Sequence, residues 1–80
     1  MIRIIDAEIR SNYTVFVEFN NGKKGNIYLK EIFENDHRQV IRDLLQIEIF
    51  KTLKVEFNTL CWDNGVDFCP DFLYQQVVNK

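Results

Sequence analysis

The sequence holds one proline, three glycines, two cysteines and one histidine in 80 residues. So little proline and glycine leaves no linker and no low-complexity tract, and no internal repeat is visible, so the chain reads as one domain over 1–80. Two cysteines cannot form the disulfide framework of a small secreted scaffold, and both are expected as reduced thiols in the cytoplasm. Cys61 and Cys69 are too far apart for the close pair of a zinc knuckle, and His37 alone cannot complete a second pair, so no metal and no cofactor is expected. No apolar run approaches the ~20 residues that span a bilayer. The opening Met1-Ile2-Arg3-Ile4-Ile5-Asp6 does not have the basic start and cleavage site of a signal peptide, which again points to the cytoplasm. An excess of positive charge is missing too. Ten Lys and Arg stand against twelve Asp and Glu, for a net charge of −2 and a pI near 5.3. Direct binding to nucleic acid, which draws its affinity from neutralised phosphates, is therefore disfavoured.

Apolar and aromatic residues are plentiful. Hydrophobic residues make up 46%, with seven Phe, three Tyr and one Trp, while charged residues stay at 28%. That balance supports a packed core and argues against disorder. A domain this small buries only about 60% of the surface its unfolded chain exposes, so its stability is expected to be modest.

Hydrophobic periodicity predicts an α+β fold: antiparallel hairpins first, a helical middle, then a final hairpin leading into a C-terminal helix. Ile5, Ala7 and Ile9 alternate on one face of a first strand, Tyr13, Val15, Val17 and Phe19 on a second, and Ile27 and Leu29 on a third. Three-residue loops keep those faces together: Arg10-Ser11-Asn12 sets Ile9 against Tyr13, and Asn20-Asn21-Gly22 sets Val15 against Ile27. A two-residue loop at either place would turn one strand over and set apolar residues against charges. Such loops end on a left-handed residue, which suits Asn12 and Gly22. Between Leu29 and Leu53, Val40, Ile41, Leu44, Leu45, Ile49, Phe50 and Leu53 recur at helical spacing. Asn35-Asp36 is the expected cap of the main helix and Glu31-Ile32-Phe33 a turn of its own; Gln46–Ile49 alternates as a short strand would, with helix the favoured reading. Lys54 to Phe57 alternates as a fourth strand.

The stretch Trp62-Asp63-Asn64-Gly65-Val66-Asp67-Phe68-Cys69-Pro70-Asp71 holds an indole, three carboxylates and a thiol. With Asp63-Asn64-Gly65 as another three-residue loop, Leu60, Trp62, Val66 and Phe68 share the inner face. Thr59, Cys61, Asp67 and Cys69 then share the outer one. Cys69 falls at the N-cap of the last helix, Pro70 at its first position and Asp71 in its first turn, where the helix dipole favours negative charge. Leu73, Tyr74, Val77 and Val78 form the packing stripe.

These residues resemble a bacterial family of domains of unknown function, the one numbered 2442. The resemblance rests on Phe19-Asn20-Asn21-Gly22 with Gly25, on Leu29, Phe50 and Val55, and above all on the run from Leu60 to Tyr74. It covers essentially the whole chain. It implies a cytosolic domain of antiparallel strands and short helices, with no known activity. Relatives fused to helix-turn-helix domains, or neighbouring another small protein, imply regulatory or toxin–antitoxin-like pairs. The chain departs from the family pattern at Cys69, where Asp is usual, and in a longer helical middle.

Each chemical suspect has a structural counterpart. A thiolate at Cys69 would gain from the helix N-terminus, but Asp67 and Asp71 oppose it, and no histidine adjoins it. Asp67 and Asp71 pair as carboxylates, yet no nucleophile–base pair accompanies them. His37 reads as a first-turn surface residue, and Lys23-Lys24 as a solvated hairpin tip. Trp62 reads as core, or as a recognition anchor if exposed. The expected function is a non-enzymatic interaction module binding a protein partner or a second copy. Trp62, Asp67, Asp71 and Tyr74 are the candidate binding residues. The alternative is a small enzyme or ligand or metal binder around Cys69, Asp67 and Asp71.

Overall fold

The computed structural model describes residues 1–78, with Val78 described by its backbone alone. Two antiparallel sheets and four short helices enclose one core, an α+β domain as expected. The first sheet runs in the order β1 (Ile4–Ile9), β2 (Thr14–Phe19), β3 (Lys24–Tyr28). Across it come α1 (Lys30–Glu34), α2 (Gln39–Arg42), a 3₁₀ turn (Asp43–Leu45) and α3 (Ile47–Phe50). A small hairpin, β4 (Lys54–Glu56) and β5 (Thr59–Cys61), follows, and α4 (Pro70–Val78) closes the chain against β3.

The β2–β3 register is the expected one. Val15 faces Ile27, and Gly22 takes a φ of +88°, donating its N–H to Phe19 O at 3.0 Å. The β1–β2 register differs by two residues from expectation: Ile9 faces Val15 and Ala7 faces Val17. The loop is Ser11-Asn12-Tyr13, closed by Arg10 N–H donating to Thr14 O at 2.7 Å. Asn12 and Tyr13 both adopt positive φ. Tyr13 leaves the strand because its ring packs edge-on against Phe50 at 5.0 Å and its hydroxyl donates to the Leu45 carbonyl. A distant contact thus outweighs the local preference for Asn at the last loop position.

Further along β1 a bulge sets Ile4 opposite Phe19, which reverses the facing of the strand's start. Ile4 is buried, and Ile5, expected inside, is 57% exposed. The N-terminal segment is tied down by Asn20, whose Nδ2 donates to Met1 O at 2.9 Å while its Oδ1 accepts from Arg3 N–H at 3.0 Å.

The helical middle is confirmed as helical, including Ile47–Phe50, but broken into single turns. The expected Asn35-Asp36 cap acts differently. Arg38 is the N-cap residue of α2 and caps with no side chain, while Asp36 Oδ1 accepts the Arg38 N–H at 2.8 Å. Strand β4 ends one residue early, at Glu56. Phe57 and Asn58, with φ of +53° and +68°, form a two-residue turn into β5.

The core is a single cluster: Ile4, Val15, Val17, Phe19 and Ile27 from the first sheet, Phe33, Ile41, Leu44 and Phe50 from the helical middle, Leu60, Trp62 and Val66 from the last hairpin, and Leu73 from α4, with Val55 of β4 partly buried against it. Tyr74 and Val77 pack on its edge; the side chain of Val78, expected in the same stripe, lies outside the described residues.

Candidate functional site

The run from Trp62 to Tyr74 folds as its loop chemistry predicts. Trp62 N–H donates to Val66 O at 3.0 Å, Gly65 has a φ of +90°, and Cys61 bridges to Asp67. Asn64 holds the loop in two ways: its Oδ1 accepts from Val66 N–H at 3.2 Å, and its Nδ2 donates to Val40 O at 3.2 Å. Cys69 sits before α4, its carbonyl accepting the Leu73 N–H at 3.2 Å. Pro70 opens the helix and Asp71 is in its first turn.

Trp62 is a core residue. It is 2% exposed, its Nε1–H donates to Phe50 O at 3.1 Å, and its ring packs against Phe33, Phe50 and Phe68. Tyr74 is half-buried elsewhere: its ring stands edge-on to Phe19 at 5.1 Å, and its hydroxyl accepts from Asn21 Nδ2 at 3.1 Å. The four candidate residues therefore do not converge on one site. Asp71 and Asp67 are exposed, and Trp62 and Tyr74 share no ring neighbour.

Two clefts flank Asp67. One, of ≈ 290 Å³, has Lys54, Glu56, Phe57, Asp63 and Asp67 around it, with the edge of Trp62 in its wall. The other, of ≈ 330 Å³, is lined by Asp36, Arg38, Asp67, Phe68, Cys69 and Phe72. The thiol of Cys69 thus shares a cleft with Asp67 but not with the indole. The expected outward face holds for Asp67 and Cys69, and fails for Cys61 and Thr59, which are buried. The Thr59 hydroxyl donates to the Phe68 carbonyl, and Cys61 Sγ donates to Glu56 O at 3.4 Å. Burial chiefly pushes the Cys61 thiol above its ordinary value, with the charges of Asp67 and Glu56 adding to it.

In the first cleft Lys54 Nζ lies 3.1 Å from Asp63 and 4.0 Å from Glu56, which raises its pKa, the hydrogen bond to Asp63 contributing most. Asp67 makes no ion pair among the described residues. In the second cleft Arg38 grips Asp36: Nε and one terminal nitrogen donate to its two oxygens at 3.0 and 2.9 Å. Those bonds, with the Arg38 backbone N–H, hold the Asp36 carboxyl well below its ordinary value of 3.8. No group of three or more His, Cys, Asp or Glu able to hold a metal ion occurs among the described residues.

Phe57 was not singled out by its sequence, which reads as the end of a strand. It is 85% exposed, in a left-handed conformation, and has no ring contact among the described residues. Tyr13 shares that strained conformation but recovers the cost through Phe50 and Leu45.

The fold is thus that of a very small α+β domain whose motif residues hold loops and core, with a cleft on either side of Asp67. The chain belongs to the family described as protein of unknown function DUF2442, whose model matches residues 4–79. No curated protein and no solved structure matches it. No helix among the described residues is long and apolar enough to cross a membrane.

Proposed function

We propose that the chain is a non-enzymatic cytoplasmic interaction module, and that it binds a protein partner through Phe57 and the cleft beside it. The supporting observation is Phe57 itself. Single exposed apolar side chains are ordinary on protein surfaces. A bulky residue at a left-handed turn position is not, because Asn or Gly would fit there without strain. Left-handed backbone costs an L-residue roughly 1–2 kcal/mol. At Tyr13 the side chain's interior contacts offset that cost; the Phe57 side chain makes no such ring contact among the described residues. An aromatic at such a position and turned to solvent is suited to anchor a partner, since aromatics dominate interface hot spots.

The residues behind the family resemblance fit a scaffolding role. Asn20, Asn21, Asn64, Gly65, Trp62 and Tyr74 are engaged in holding the chain together. The test is co-purification of the native complex from the host. Phe57→Asn should fold, with stability raised by about 1 kcal/mol, and should lose a partner that the unaltered protein retains in stoichiometric amount. A strictly monomeric protein with no reproducible partner, or a partner held equally by Phe57→Asn, refutes the reading.

A further inference from the structure

We infer that the cleft beside Phe57 receives an arginine side chain carried by the protein partner, an inference that rests on the interaction reading above. The cleft presents three carboxylates, Glu56, Asp63 and Asp67, against the single ammonium of Lys54. Lys54 is committed to Asp63 and Glu56, so Asp67 faces the cleft without a counter-ion among the described residues. Beside these charges stands the exposed ring of Phe57. A negatively charged recess with a free aromatic ring at its rim is complementary to a cation that is also flat and weakly hydrated. Guanidinium meets each requirement: it forms two parallel hydrogen bonds to a carboxylate and stacks on an aromatic face. Lysine's compact, strongly hydrated ammonium meets only the charge requirement.

The same charges argue against a second copy as the occupant. A two-fold dimer through this surface would bring its own carboxylates face to face. The whole chain is acidic as well, with a net charge of −2. The partner is therefore a different protein that presents a basic segment, and salt should slow its association.

The experiment has two arms. In the first, amide shifts of the labelled protein are followed by NMR during titration with acetyl-Gly-Arg-Gly-amide, and with the same peptide carrying neutral citrulline in place of arginine. The arginine peptide should shift residues 56–58 and Asp67 selectively and bind at least tenfold more tightly than its citrulline counterpart. Asp67→Asn and Phe57→Asn, each checked for an otherwise native spectrum, should each weaken it severalfold. Equal shifts from both peptides, or shifts scattered over the whole surface, overturn the arginine assignment. In the second arm, the native partner is captured with the same variants. Loss of the partner with Phe57→Asn but not with Asp67→Asn leaves the interaction reading standing and removes arginine as the occupant. Retention with both variants removes both readings.

Discussion

At the scale of single residues, the aromatics carry most of the argument, and they divide by what their polar atoms and backbones require. Trp62 is satisfied inside: its indole N–H meets the Phe50 carbonyl, and its faces meet Phe33, Phe50 and Phe68. Replacing it by Phe keeps a ring but leaves a buried carbonyl short of its donor and a gap beside it. The expected loss is about 2–3 kcal/mol, measured by urea unfolding followed by circular dichroism. A loss under about 0.5 kcal/mol would show that the indole hydrogen bond is replaced by water at no cost. Tyr13 and Phe57 pose the same backbone problem, and only the Tyr13 side chain meets it with interior contacts. Nothing in the local sequence separates them, since both are aromatics at the edge of an alternating run.

Elements in this domain are short, and each is held by one or two contacts from elsewhere. Helix α4 lies on β3 where Gly25 leaves room: a Cβ there would stand 3.1 Å from Val77 Cγ1. Gly25→Val should therefore overpack the contact and cost about 1–3 kcal/mol, and Val77→Ala in the same chain should restore much of it. Strict additivity of the two changes in a double-mutant cycle would place the contact elsewhere. The turn between α1 and α2 depends on charge. Because Asp36 titrates below its ordinary value in the folded state, its contribution is complete above the unfolded carboxylate range and is lost as pH falls below it. Stability should decline as pH drops below about 4, and Asp36→Asn should flatten that decline. An unchanged slope in acid denaturation would mean that the Arg38 clasp is not formed in solution.

For the whole molecule, both sheets, the helical middle and α4 supply one contiguous core, with no second cluster among the described residues to stabilise any part alone. The domain should unfold in a single transition. Far-UV circular dichroism and Trp62 fluorescence should give coincident midpoints, and separated midpoints would reveal a sub-domain that the core does not suggest. The small size also explains why the clefts are shallow. The apolar interior is consumed by the core, so the proposed recognition would have to use surface features such as Phe57 and the charges around it.

How far the sequence reaches follows from the range of the forces involved. The β2–β3 hairpin, the Trp62–Val66 loop, the helix from Pro70 and the α+β class were legible because alternation, left-handed glycines and a proline act within a few residues. The β1–β2 offset, the reversed start of β1 and the burial of Cys61 were not. Tyr13 is placed by Leu45 and Phe50, more than thirty residues away. Ile4, rather than Ile5, is tied to the β4–β5 turn through the hydrogen bond its N–H donates to Asn58 O at 2.9 Å. Of the residues around the first cleft, the sequence pointed to Trp62 and Asp67 as candidate binding residues but passed over Glu56 and Phe57, the latter marked out by a backbone angle and its exposure. The chain by itself determined its class, most of its turns and the inward face of its last hairpin, all set by local sterics and alternation. Only the tertiary structure decided which aromatics were used up in the core and which were left facing water, Phe57 the most exposed of the described ones, because that depends on contacts between segments far apart in the chain.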